Sequence, residues 1–272
     1  MSISNILIIL SLSIIPSLII LGLILYSDRK SSEPLPLILI CVFSGLLTIT
    51  LALFLQKFLI NSLNIINTFD NTHTYYGIKI FLLSLVEEYC KLLVLYLFIS
   101  HMKSFDDIYD GFVYSAIIAL SFAGMETVMY VFKEVTFYDM ASLAIIRTFT
   151  SIPLHLVCGI IMGYYIALEK FAKKKRYKVF ELFKSITLPV LLHSCYNMIL
   201  TYMAHYSVST STINNTVIIF IILTYIIGFI YVKKNLYLNE KFVKNRKYPD
   251  KYKFLMHKTE YYRKLKKKKN KK

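Results

Sequence analysis

Tryptophan is absent from the 272 residues, and charge is scarce: 18% of the chain is Asp, Glu, Lys or Arg, against 56% in the hydrophobic set. A soluble domain carries about 25% charged and about 45–50% apolar residues, so an ordinary water-soluble globule is excluded, and the mean hydropathy of +0.56 agrees. Acidic residues are the rarest charge, 16 against 32 Lys and Arg, but the resulting +16 is not spread along the chain. Residues 233–272 hold 17 basic and 3 acidic side chains, nearly all of the excess, so the basic total is no argument for nucleic-acid binding. Abundant Ile, Lys, Asn and Tyr with no Trp is also what an AT-rich coding bias produces, which enriches Lys without selection for a partner. The four cysteines, Cys41, Cys90, Cys158 and Cys195, lie in apolar runs at spacings that make neither a disulfide framework nor a CxxC zinc pattern; buried thiols are expected. The start, MSISN, lacks a positive n-region and the run Ile6 to Tyr26 is longer than a signal-peptide core, so it is read as a retained first helix. No internal repeat is visible.

What is present is a series of apolar runs long enough to cross about 30 Å of hydrocarbon, near 4–26, 35–56, 77–100, 110–132, 141–168, 183–204 and 215–232. They predict an all-α, polytopic membrane helix bundle of about seven transmembrane helices, residues 1–232, followed by a basic cytoplasmic tail, 233–272. The stretch from Gln56 to Thr74, rich in Asn and Thr, is expected to be an outer loop or interfacial segment. Positive residues collect on the cytoplasmic side. Arg29 and Lys30 follow the first run, Lys103 the third, and Lys170, Lys173, Lys174, Lys175, Arg176 and Lys178 the fifth, while the loop near 205–214 has none. This predicts a multi-pass cell-membrane protein with its N-terminus outside and its C-terminus cytoplasmic. The tail, ending KLKKKKNKK, is expected to be a solvated anchor near anionic headgroups, worth about 1 kcal/mol per basic residue close to the surface.

Against that background the informative residues are ionisable ones at membrane depth, where a charged group costs about 2.5–3.5 kcal/mol. Four places stand out. The third run contains Glu87-Glu88-Tyr89-Cys90-Lys91, the fourth Phe122-Ala123-Gly124-Met125-Glu126, the fifth Arg147, Ser151 and His155, and the sixth His193 and Asn197. Adjacent helical residues diverge by about 100° whereas i and i+4 nearly align, so Glu87 shares a face with Lys91 and Glu88 points to a neighbouring one. Lys91 neutralises one carboxylate, not both. Glu126 has no basic residue within a turn, so its compensation must come from another helix. Arg147, Ser151, His155, Gly159 and Gly163 follow at four-residue steps, the glycines forming a small-xxx-small surface for close helix approach, with Pro153 loosening the local backbone.

These motifs resemble those of the PrsW family of intramembrane proteases, within the broader CAAX-protease and bacteriocin-processing superfamily. The resemblance covers Leu85 to Leu200: EExxK (Glu87, Glu88, Lys91), Asp110-Gly111-Phe112-Val113-Tyr114 leading to FxxxE (Phe122, Glu126), Arg147 with Pro153-Leu154-His155 and Gly159, and HxxxN (His193, Asn197). Thr127 stands where the family often has Asn, and Asn197 where it often has Asp. The resemblance implies hydrolysis of a peptide bond in a single-span, membrane-anchored regulatory protein of the anti-sigma-factor type. By the same analogy Glu87 is the general base, Glu126 helps orient the water, His193 and Asn197 donate to the oxyanion, Glu88 and Lys91 tune the base, and His155 is a supporting partner or a ligand. In a metal-dependent version His155, His193 and Glu126 hold zinc, although no HExxH helix is present. The alternatives are CAAX-type processing of lipidated or bacteriocin precursor peptides, a non-enzymatic immunity protein, and an ion-coupled transporter, against which no paired broken helices occur in two halves.

Overall fold

In lipid every backbone N–H and C=O must be satisfied internally, and a helix does this within one segment. The computed structural model describes residues 2–27, 33–66, 72–172, 175–205 and 209–245, and it is helical, with no strand among the described residues. Eight α-helices follow in order: α1 (Ile3–Ser27), α2 (Leu35–Ile66), α3 (Thr72–Leu97), α4 (Ile108–Val131), α5 (Phe137–Phe149), α6 (Ser151–Phe171), α7 (Lys175–His205) and α8 (Thr210–Asn245). A 3-10 turn, Ile99–His101, joins α3 to α4. This is the expected all-α membrane bundle. Five stretches are apolar and long enough to cross a bilayer: α1, Leu35–Ser62, α4, Phe137–Phe171 and Asn214–Phe242. Helices α3 and α7, of 26 and 31 residues, are long enough but less apolar, because they carry the ionisable residues singled out above.

Four expectations are corrected. The fifth run, 141–168, is two helices interrupted at Thr150 (φ −117°, ψ −71°). Pro153 sits in the first turn of α6, where its ring would strike the carbonyl of residue 149 if one helix continued, so Arg147 and His155 lie on separate helices. Helix α2 does not stop at Gln56 but runs to Ile66, and α3 begins at Thr72. Helix α8 passes 232 and continues to Asn245; Ile108 N donates to Asn239 Oδ1 at 3.2 Å and the Phe171 and Phe242 rings sit 4.7 Å apart. Cys41, Cys90 and Cys158 are buried, but Cys195 is exposed, because it lies about 200° around α7 from the inward-facing His193. Arg29, Lys30, Lys173, Lys174 and the tail from 246 to 272 lie outside the described residues.

Helices α4 and α6 form the centre. Most of their crossing stretches is buried, whereas α1 and α8 bury only a small share of theirs and present Leu, Ile and Phe side chains outward. The two central helices meet along small residues: a Cβ on Gly159 would come within 2.6 Å of Ala119 Cβ and 2.9 Å of Ser115 O, and one on Gly163 would overlap Gly111 O and Ser115 Oγ. Asp107 caps α4, accepting from Asp110 N at 2.9 Å while Asp110 Oδ2 accepts from Asp107 N at 2.7 Å. At that same end Lys170 Nζ donates to Ser100 O (2.6 Å) and Phe105 O (2.5 Å), and Tyr114 OH donates to Glu33. The starts of α2 and α4 and the ends of α3, α6 and α8 therefore share one end of the bundle.

Replacing Gly163 by Leu is expected to lower the stability of the purified protein in detergent by about 3 kcal/mol or more, as overpacking does at worst. Gly22→Ala, where an added Cβ meets nothing within 4 Å, is expected to leave the thermal midpoint unchanged or slightly raised. Equal midpoints for the two variants would contradict the close α4–α6 seam.

Candidate active site

The site is assembled from five helices, and the three residues of α3 set its geometry. Lys91 Nζ bonds Glu88 Oε1 at 2.7 Å, an i,i+3 pair buried on both sides. The i+4 alignment with Glu87 is not the one used. Glu87 is thereby released towards α2 and α7: its Oε1 accepts from Gln56 Nε2 at 2.8 Å, and its Oε2 has no hydrogen-bond partner among the described residues and lies 3.7 Å from His193 Nε2. No lysine or arginine pairs with Glu87 among the described residues.

Glu126, on α4, finds its compensation on other helices, as the sequence required. Arg147 of α5 donates through Nη2 to Glu126 Oε2 at 2.5 Å and through Nε to Thr127 Oγ1 at 3.2 Å, and its guanidinium lies 4.6 Å over the Tyr130 ring. His155 Nε2 is 2.9 Å from the same Glu126 oxygen. The interruption at Thr150 is what lets α5 present Arg147 and α6 present His155 to one carboxylate.

The partners fix the two imidazoles. His193 Nδ1 lies 2.9 Å from Glu88 Oε1; a carboxylate only accepts, so Nδ1 carries the hydrogen and, in the neutral ring, Nε2 presents its lone pair towards Glu87. His155 Nδ1 lies 2.9 Å from Lys91 Nζ, which only donates, so Nδ1 accepts and Nε2–H donates to Glu126. The rings pack edge to face with centroids 4.8 Å apart. Phe122 covers this layer, 4.1 Å from Lys91 Nζ and 5.4 Å from the His155 ring, which explains the Phe of FxxxE.

Glu87, Glu88, Lys91, Glu126, Arg147, His155 and His193 thus come together in one buried network. Asn197 does not join it. One turn beyond His193, its Nδ2 donates to Ser84 Oγ at 3.1 Å, one turn before Glu88. A cavity of about 80 Å³ opens beside the network, lined by Glu87 and Glu126 together with Gln56, Phe122, Tyr130 and Lys133 among others. One water needs only about 10–15 Å³ by the same measure, so the cavity has room for water beside Glu87 and Glu126. Gln56 is the residue sequence reasoning missed. It stands at the edge of the apolar run 35–56, and a single Gln at such an edge carries no motif.

The donor set suits a metal. Ligand atoms of Glu87, His155 and His193 all lie within 4.8 Å of one another. Two imidazoles and a carboxylate are a hydrolytic zinc shell with room for water, and the partnerless Glu87 Oε2 and the His193 Nε2 lone pair are free to serve as donors; His155 would join by giving up its bond to Lys91 or to Glu126. The close trio contains Glu87 in place of the expected Glu126, which is held by Arg147.

Comparison with known proteins identifies the family. The family described as "PrsW family intramembrane metalloprotease" matches residues 33–229. "Protease PrsW" of Clostridioides difficile (strain 630) is 34% identical over 193 residues, 70% of this chain and 77% of that protein. The protein of the same name from Oceanobacillus iheyensis is 33% identical over 71% of this chain and 82% of its own length, and that of Bacillus subtilis (strain 168) 29% identical over 73% and 85%. No solved structure matches. With a family match over most of the chain, and the ionisable residues of that stretch gathered in one buried network inside an apolar bundle, this chain belongs to the PrsW family of intramembrane metalloproteases.

Proposed function

We propose that this multi-pass membrane peptidase cuts a single-span, membrane-anchored regulatory protein, of the anti-sigma-factor type, with Glu87 as the group that takes a proton from the attacking water. The observation that carries the reading is the contrast among three buried carboxylates. Glu88 is tied through Oε1 to Lys91 and His193 and Glu126 through Oε2 to Arg147 and His155, whereas Glu87, which lines a cavity that admits water, has neither a lysine nor an arginine on it among the described residues. A base must reach its proton within hydrogen-bond distance before its basicity matters, and Glu87 lines the cavity that would bring a water to it.

The remaining residues divide between holding and compensating. Glu88 locks His193 in the ring orientation that turns Nε2 to the reacting region, and in its protonated form Nε2–H is the donor for the oxyanion. Asn197, bonded to Ser84, holds α7 against α3 one turn away; as an oxyanion donor it would first have to leave that bond. Arg147 and His155 hold Glu126 through Oε2 beside the cavity, where it orients the water. Were zinc held by Glu87, His155 and His193, it would supply Lewis acidity to a bound water and to the scissile carbonyl, and with Glu87 engaged as a ligand the water's proton would go to Glu126.

The orientation proposed is N-terminus outside and C-terminus cytoplasmic. The lysine-bearing ends of α3 and α6 meet through Lys170 at one end of the bundle, and positive residues favour the cytoplasmic side.

Glu87→Gln is expected to lower the cleavage rate about 10²–10⁴-fold, the usual contribution of a general base, with unchanged membrane insertion. Fragments seen by membrane proteomics in wild-type cells but not in Glu87→Gln cells identify the substrate; unchanged cleavage removes Glu87 from the reaction. Zinc content measured on the purified variants assigns the ligands. His155→Ala and His193→Ala are expected to lose the ion, and its loss from Glu87→Gln as well makes Glu87 a ligand and passes proton acceptance to Glu126. For the topology, a tag after Val135, between α4 and α5, is expected to be reached by impermeant reagents from outside intact cells and one after Met102 only after permeabilisation; the reverse pattern inverts the orientation.

A further inference from the structure

We propose that Gln56, on α2, is a positioning residue for Glu87. The inference rests on the reading of Glu87 above and extends it to a helix that carries none of the four motifs. Gln56 Nε2 donates to Glu87 Oε1 at 2.8 Å and to the Leu83 carbonyl at 3.3 Å. Both partners only accept, so the carboxamide is turned with its nitrogen towards them, whatever ambiguity an amide has in isolation. The same side chain lines the cavity beside Glu87 and Glu126.

The consequence for Glu87 is geometric. A Glu side chain on a helix has three rotatable bonds, and nothing on its own helix fastens this one, since Lys91 is engaged by Glu88. With Oε1 held by a neutral donor, the carboxylate plane is fixed and Oε2 is left for His193 and the cavity. A cation at position 56 would also fix the plane, but it would neutralise the group that has to act on water. An amide supplies orientation without that charge. Because Gln56 also bonds the backbone of α3 one turn before Glu87, a displacement of α2 by an arriving substrate helix moves the donor and the carboxylate together.

The test is kinetic and uses the full-length protein in proteoliposomes, with a single-span membrane protein that the wild-type enzyme cleaves as substrate. Gln56→Met keeps side-chain length and removes the donor; Gln56→Glu keeps the shape and places a second carboxylate against Glu87. Loss of a hydrogen bond that orients an active-site carboxylate typically costs about 10–100-fold in activity. Both variants are expected to lose that factor in kcat with KM within about threefold, while their thermal midpoints stay near wild type. A merely structural tie between α2 and α3 would instead lower the midpoint and leave kcat per folded molecule intact. Wild-type kcat in either folded variant overturns the proposal. Glu87→Gln run beside them separates the failures: if it is inactive while Gln56→Met is fully active, only the role of Gln56 falls, and if it is active, the reading of Glu87 falls first.

Discussion

A charge inside hydrocarbon persists only where another group compensates it, and removing one partner of a buried pair costs about 3–5 kcal/mol. In this bundle that constraint is satisfied by a single network. Lys91 balances Glu88, Arg147 balances Glu126, and His155 and His193 bridge between the two carboxylates and Glu87. Each bond joins different helices except Lys91–Glu88, so the network fixes the relative placement of α3, α4, α5, α6 and α7. Glu87, which borders a cavity, is its one carboxylate without a lysine or arginine partner among the described residues. The arrangement spends stability to keep one group available, the pattern expected of a site and not of helix glue.

The apolar scaffold makes this tolerable. Glycine contacts bring α4 and α6 close enough for Glu126 and His155 to meet directly. The interruption at Thr150, braced by Tyr196 OH on its hydroxyl at 2.9 Å and by Tyr225 OH on the Phe149 carbonyl at 3.2 Å, gives Arg147 its own approach. Helices α1 and α8 contribute mostly an outer apolar surface. Chemistry and packing are thus carried by different residues on the same helices: small ones on the α4–α6 seam, ionisable ones one face away.

Much of this was legible in the sequence, because charges are so rare in the apolar runs that each announces itself. The helical class, the four motif-bearing segments and the need for Glu126 to be compensated from another helix all follow from spacing and cost. Other features were not legible, for physical reasons. Residues i+3 and i+4 are both neighbours on a helix, so spacing alone did not show that Lys91 prefers Glu88. The ladder from Arg147 to Gly163 has helical periodicity, and Pro153 signals an interruption without saying which way the chain turns. Gln56 was invisible because its role depends on a partner 31 residues away on another helix. Cys195 lies in an apolar run like the other cysteines, and an apolar run does not reveal which face meets lipid.

If the ionic network is retained for reactivity at a cost in stability, a double-mutant cycle on Lys91 and Glu88 will show it. Lys91→Met alone is expected to destabilise the detergent-solubilised protein by about 3–5 kcal/mol. Lys91→Met with Glu88→Leu is expected to recover most of that loss while the enzyme stays inactive. Additive losses in the double variant, or cleavage activity returning with its stability, would contradict retention for reactivity.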